Sequence, residues 1–146
     1  MLLDYASWAE KKGISYSTFS THQIRLSDLK EIAKECNVTF KRGDILFVRI
    51  GVTKEWDTVM TDDQKRAYSL NPKPEHAGVE ATTDVLRWIW DNGFCAVASD
   101  AISWEVRSQN ANLPNLLQLR ISGLSTAEPG RVSTRVPACR LGNAHW

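Results

Sequence analysis

Hydrophobic positions along the chain recur with two periods. Leu29, Ile32, Ala33 and Cys36 follow the i, i+3, i+4, i+7 spacing of a helix with one apolar stripe. Ser27 suits its N-cap, Asp28 its positive first turn, and Asn37 its end. Residues 83–92 carry a second stripe, Val85, Leu86, Ile89 and Trp90, closed by Gly93. Trp88 and Trp90 both read as packing residues on that helix. Residues 4–12 read as a short helix with Tyr5, Trp8 and Ala9 on one face and Gly13 at its end. A sparser helical pattern covers residues 62–70. Residues 45–50 and 94–98 are apolar nearly throughout, which suits strands buried on both faces. Residues 38–40 form a short strand candidate before a turn at residues 41–44. Asn71-Pro72-Lys73-Pro74 is a loop, because proline fixes the backbone and removes a donor. Helices alternating with apolar strands predict an α/β domain.

Composition narrows the function classes. The chain has 146 residues, 42% of them hydrophobic, and a net charge of +1. That suits one domain with a real core. Near-neutral charge gives no electrostatic case for nucleic acid or an anionic membrane. No apolar run approaches the roughly 20 residues of a membrane helix, and the first residues lack a signal peptide's pattern. Cys36, Cys95 and Cys139 are odd in number and far apart, so free thiols and a reducing, cytoplasmic location are expected.

Ordered segments from residue 1 to about residue 106 carry a family resemblance. They are Leu2-Leu3-Asp4-Tyr5, Gly43-Asp44-Ile45-Leu46-Phe47-Val48-Arg49-Ile50-Gly51, His76-Ala77-Gly78-Val79-Glu80, Leu86-Arg87-Trp88-Ile89-Trp90-Asp91, and Ala96-Val97-Ala98-Ser99-Asp100-Ala101. In order and spacing the set resembles the fungal branch of the cyclase family, metal-dependent hydrolases that include the bacterial kynurenine formamidases of tryptophan catabolism. The resemblance implies an α/β fold, here a fragment of the swivelling β/β/α fold. It implies hydrolysis of an amide, ester or cyclic small-molecule substrate. It also implies a divalent metal, zinc or manganese, that lowers the pKa of a bound water and polarises a carbonyl.

Two departures from the family pattern set further expectations. The family's main His/Asp metal motif precedes a segment like Leu2-Leu3-Asp4-Tyr5, so it is expected to fall before Met1. A family stretch like H-E-Y-L-L-A-G-W-G-M-P-I-G-E, expected after the Ser99-Asp100-Ala101 segment, is absent as protein. Back-translating residues 131–146 and reading one base further on permits that stretch. Residues 1–106 are therefore expected to form a partial cyclase-like domain. Residues 107–146 are expected to be an irregular tail from a retained intron or another splicing or frameshift error. The chain alone is expected to bind no metal and to be weakly active or inactive. The alternative is a non-catalytic remnant or interaction module, and a homo-oligomer would cover exposed apolar strands.

Three residues are candidates for catalysis. His76 follows the proline loop and Glu80 precedes a helix. They are either a proton-transfer or substrate-contacting pair, or a loop histidine and a carboxylate serving the helix dipole. Asp100 ends an apolar strand, where α/β proteins place functional groups, or else caps a turn. His22 matches a shared family position, in a Thr-His pair before the 26–29 segment, or caps a surface turn. Arg49, inside an apolar strand, needs a partner: a structural ion pair or a substrate anchor. Trp56 and Trp104 line a pocket or pack in a core or interface. The three histidines, His145 included, lack a short metal-ligand spacing.

Overall fold

A computed structural model describes residues 1–107. In chain order the elements are β1 (Leu2–Asp4), α1 (Tyr5–Lys11), β2 (Gln23–Ile24), α2 (Leu26–Glu35) and β3 (Ile45–Arg49). They continue as α3 (Val52–Thr58), α4 (Asp62–Leu70), β4 (Gly78–Val79), α5 (Thr83–Asn92) and β5 (Ala96–Ser99). Strands β1, β3 and β5 form a parallel sheet in that order, with Leu2 beside Phe47 and Phe47 beside Ala98. Strands β2 and β4 form a second parallel pair. Parallel neighbours joined through helices are the α/β arrangement that the sequence pattern predicts.

The helices end where local chemistry ends them. Asp4 caps α1 by accepting the Ser7 amide at 3.0 Å. Asn37 takes φ 49°, closing α2 with Val38 N donating to Ala33 O at 2.8 Å and Asn37 N to Lys34 O at 3.1 Å. Thr61 caps α4 reciprocally with Gln64. Helix α2 begins earlier than Ser27 suggested. Arg25 holds the cap position, Asp28 accepts its amide at 3.1 Å, and Ser27 lies inside the first turn.

Four expectations are corrected. Residues 45–50 are not buried on both faces: Leu46, Val48 and Ile50 are fully buried while Phe47 is 39% exposed. The core cluster joins Leu46, Val48 and Leu3 to Trp8, Ala9, Leu29 and Ile32 of α1 and α2, so the helices cover one face. The other face presents Leu2, Phe47 and Ala98 in a row. Strand β5 is only partly buried, an edge rather than a central strand. Residues 38–40 make no strand; Phe40 instead packs edge-on against Trp88 and Phe94, with ring centres 5.5 and 5.1 Å away. On α5, Val85 and Trp88 face inward and Trp90 is 75% exposed, so Trp90 is not a packing residue within the described residues.

Cys95 is a free thiol, as expected. Cys139, and the expected aberrant tail beyond Arg107, lie outside the described residues. Among the described residues no helix is long and apolar enough to cross a membrane.

Candidate functional site

The open sheet face leads into a cleft of about 320 Å³ lined by Leu2, Phe47, Val48, Arg49, Thr53, Ser99 and Asp100. It lies towards the carboxyl ends of β3 and β5, where open parallel sheets place their ligands. Its apolar wall is Leu2 and Phe47. Its polar wall is Arg49, Thr53 and the Ser99-Asp100 strand end.

Arg49 closes β3 with an ion pair. Its Nη1 donates to Asp4 Oδ1 at 2.8 Å and Oδ2 at 3.0 Å, and lies 3.2 Å from Ser7 Oγ. The partner expected for an arginine in an apolar strand is thus Asp4, which adjoins it in the β1–β3 register. Both side chains are largely buried, where such a pair is screened less than at the surface.

Asp100 carries a different burden. Its Oδ1 accepts the Ile50 amide at 2.6 Å, and its Oδ2 accepts those of Gly51 at 2.9 Å and Val52 at 3.1 Å. The carboxylate therefore satisfies the amides that the end of β3 and the start of α3 leave unpaired. Glu80 does the same for another helix: Oε1 accepts the Leu26 amide of α2 at 2.8 Å. Glu80 thus serves a helix start, but that of α2 rather than of the α5 helix beside it in sequence.

His76 is 1% exposed. Ser103 Oγ donates to Glu105 O at 2.7 Å, so its proton is committed, and the 2.6 Å contact with His76 Nε2 requires the histidine to donate. Among the described residues Nδ1 has no hydrogen-bond partner. Burial, then the Arg107 charge, lowers the His76 pKa, and the Pro74 carbonyl partly opposes this. His76 and Glu80 flank β4, so about 13 Å of extended chain separates their Cα atoms. No hydrogen bond among the described residues joins His76, Glu80 and Asp100; each contacts a separate piece of backbone or side chain.

A further cluster involves His22. Tyr5 Oη lies 2.7 Å from His22 Nε2, and the Tyr16 ring stacks on the His22 ring at 4.4 Å. Burial pushes the Tyr5 hydroxyl up to about 12, raises Tyr16 as well, and lowers His22. Both tyrosines therefore stay protonated and the imidazole tends to neutrality. Tyr16 Oη donates to Ile50 O at 2.6 Å. Sequence reading singled out His22 but missed Tyr16, because nothing near Tyr16 in the chain marks it. Trp56 packs with Phe19 and Tyr68, and Trp104 is a core residue; neither lines the cleft.

The Cyclase family model matches residues 5–106. The chain belongs to the Cyclase family. No curated protein matches the sequence. A solved structure described as the crystal structure of a novel cyclase is similar over 75% of this chain, with TM-score 0.58 and 23% identity. At that identity the likeness concerns the fold. This cyclase-family chain spans 33% of that chain's length. The metal implied by the resemblance finds no donor set here: among the described residues no three His, Cys, Asp or Glu side chains gather to hold an ion.

Proposed function

We propose that this cyclase-family chain contributes the substrate cleft of a hydrolase acting on a small amide, ester or cyclic carbonyl compound. The observation that carries the reading is the cleft at the β3 and β5 ends, whose lining apart from Leu2 falls within the family-matched residues and which pairs the apolar Leu2–Phe47 wall with Arg49 and Thr53. An aromatic or alkyl body suits the first wall, and the Thr53 hydroxyl beside the Asp4-paired Arg49 suits a carbonyl oxygen. Zinc or manganese would supply Lewis-acid chemistry in such an enzyme. The described residues offer it no ligand set, so their part is binding and orientation.

The test is an assay of the whole chain with N-formylkynurenine and a simple aryl ester, with and without added zinc or manganese. Weak metal-dependent turnover that falls when Arg49 becomes Met supports the reading. Turnover indifferent to Arg49 removes the cleft from it. A second reading, a non-catalytic module, is favoured by one arrangement. His76, Glu80 and Asp100 all serve fold contacts rather than converging on a reacting point. Absence of turnover on a folded, monodisperse sample with both metals selects that second reading.

A further inference from the structure

We infer that Tyr16 and Asp100 are positioning residues that fix the polar wall of the cleft by gripping the chain at Ile50. The inference rests on the cleft reading above. Strand β3 ends at Arg49 and helix α3 begins at Val52; the Gly51 carbonyl accepts the Glu55 amide at 3.1 Å, but the amides of residues 50 and 51 and the Ile50 carbonyl have no ladder or helix partner. Ile50 is fully buried, and solvent does not satisfy those groups. Asp100 accepts the amides of Ile50, Gly51 and Val52 at 2.6, 2.9 and 3.1 Å. From the other side, Tyr16 Oη donates to the Ile50 carbonyl at 2.6 Å.

The turn has little freedom to settle elsewhere. Gly51 takes φ +95°, and a Cβ there would lie 3.1 Å from Ala6 Cβ. Tyr16 is itself held, stacked on His22 at 4.4 Å and edge-on to Tyr5 at 5.5 Å, while Tyr5 and His22 share a 2.7 Å hydrogen bond. Arg49 and Thr53 flank the gripped residues and both line the cleft. Three rings and one carboxylate thus fix the backbone from which Arg49 and Thr53 project, while Asp4 holds the Arg49 guanidinium itself. Tyr16 is outside the cleft lining, so its influence on a ligand passes through residue 50. Asp100 lines the cleft, yet both its oxygens are committed to backbone.

The experiment is amide hydrogen exchange by NMR on the whole chain, with formanilide as a cleft probe. Tyr16→Phe keeps the ring stack and deletes one hydrogen bond; Asp100→Asn keeps one acceptor oxygen. Expected for Tyr16→Phe is faster exchange at Ile50, Gly51 and Val52 by roughly five- to tenfold, about what one hydrogen bond contributes. Amides of β1 and α5 should be unchanged, the Thr53 signals should shift, and probe affinity should weaken several-fold. Exchange that rises evenly across the molecule, or leaves residues 50–52 and Thr53 untouched, overturns the inference. If Asp100→Asn fails to fold, Tyr16→Phe alone decides. If the probe perturbs no cleft resonance in the unmodified chain, the cleft reading fails. The exchange pattern and the Thr53 shift then still decide the positioning role.

Discussion

The Glu80 carboxylate accepts the backbone amide of Leu26 at 2.8 Å, joining the end of β4 to the start of α2 across 54 positions of sequence. Glu80 also donates its own amide to Ile24 O at 3.0 Å, so the junction is held twice. Losing such a cap costs about 1 kcal/mol. Glu80→Ala is expected to lower stability by about that amount, and Glu80→Gln, which keeps an acceptor, by less. Urea unfolding measures both; equal losses for the two would show that acceptance at Leu26 is not what Glu80 contributes.

The Asp4–Arg49 pair makes an asymmetric prediction. Asp4 bonds Arg49 and also caps α1 through Ser7 N and Ser7 Oγ. Asp4→Ala removes the cap and strands a largely buried guanidinium, an expected loss of about 2–4 kcal/mol. Arg49→Met leaves the cap in place and should cost less. Thermal denaturation of the two variants gives the order, and the reverse order would refute this division of roles.

Gly78 has no room for a side chain. A Cβ there would lie 2.4 Å from the Glu105 carbonyl carbon and from Val106 N, which are backbone atoms of the segment bonded along β4. Gly78→Ala is expected to destabilise by roughly 1–3 kcal/mol or more by overpacking. An unchanged urea midpoint would mean that residues 105–106 do not lie against β4.

Buried His76 and half-buried His22 give stability a pH dependence. Burial lowers the pKa of His76 and of His22 in the folded chain. The unfolded chain therefore binds more protons just below the ordinary value of about 6.5. Stability should be full above that pH and decline as pH falls from it towards the lowered folded-state values. His76→Gln should flatten the decline, leaving the His22 share. Urea midpoints from about pH 8 to pH 5 test this, and a slope unchanged by the substitution would clear His76 of the effect.

Much of the fold is legible in the residue pattern because its causes are local. Helices α1, α2, α4 and α5 announce themselves by apolar spacing within a few turns and by caps next to them in sequence. Helix α3 escapes that reading: Val52–Thr58 has no buried residue, and its first amide, Val52, is satisfied by Asp100 from 48 positions away. Strands β2 and β4, two residues each, are too short to show a period. His76, Glu80 and Asp100 were visible as candidates by type and place. Their partners were not, since Ser103, Leu26 and Ile50 are not adjacent to them in the chain.

By itself the sequence determined the α/β class, four of the helices, the central β3 segment and the Cyclase kinship, all properties of local periodicity or of residue order. Only the tertiary structure decided which sheet face the helices cover, that Trp88 rather than Trp90 turns inward, and where each carboxylate is spent. Those outcomes depend on contacts between distant segments. A buried amide takes whichever acceptor the fold brings within about 3 Å, whatever its distance along the chain.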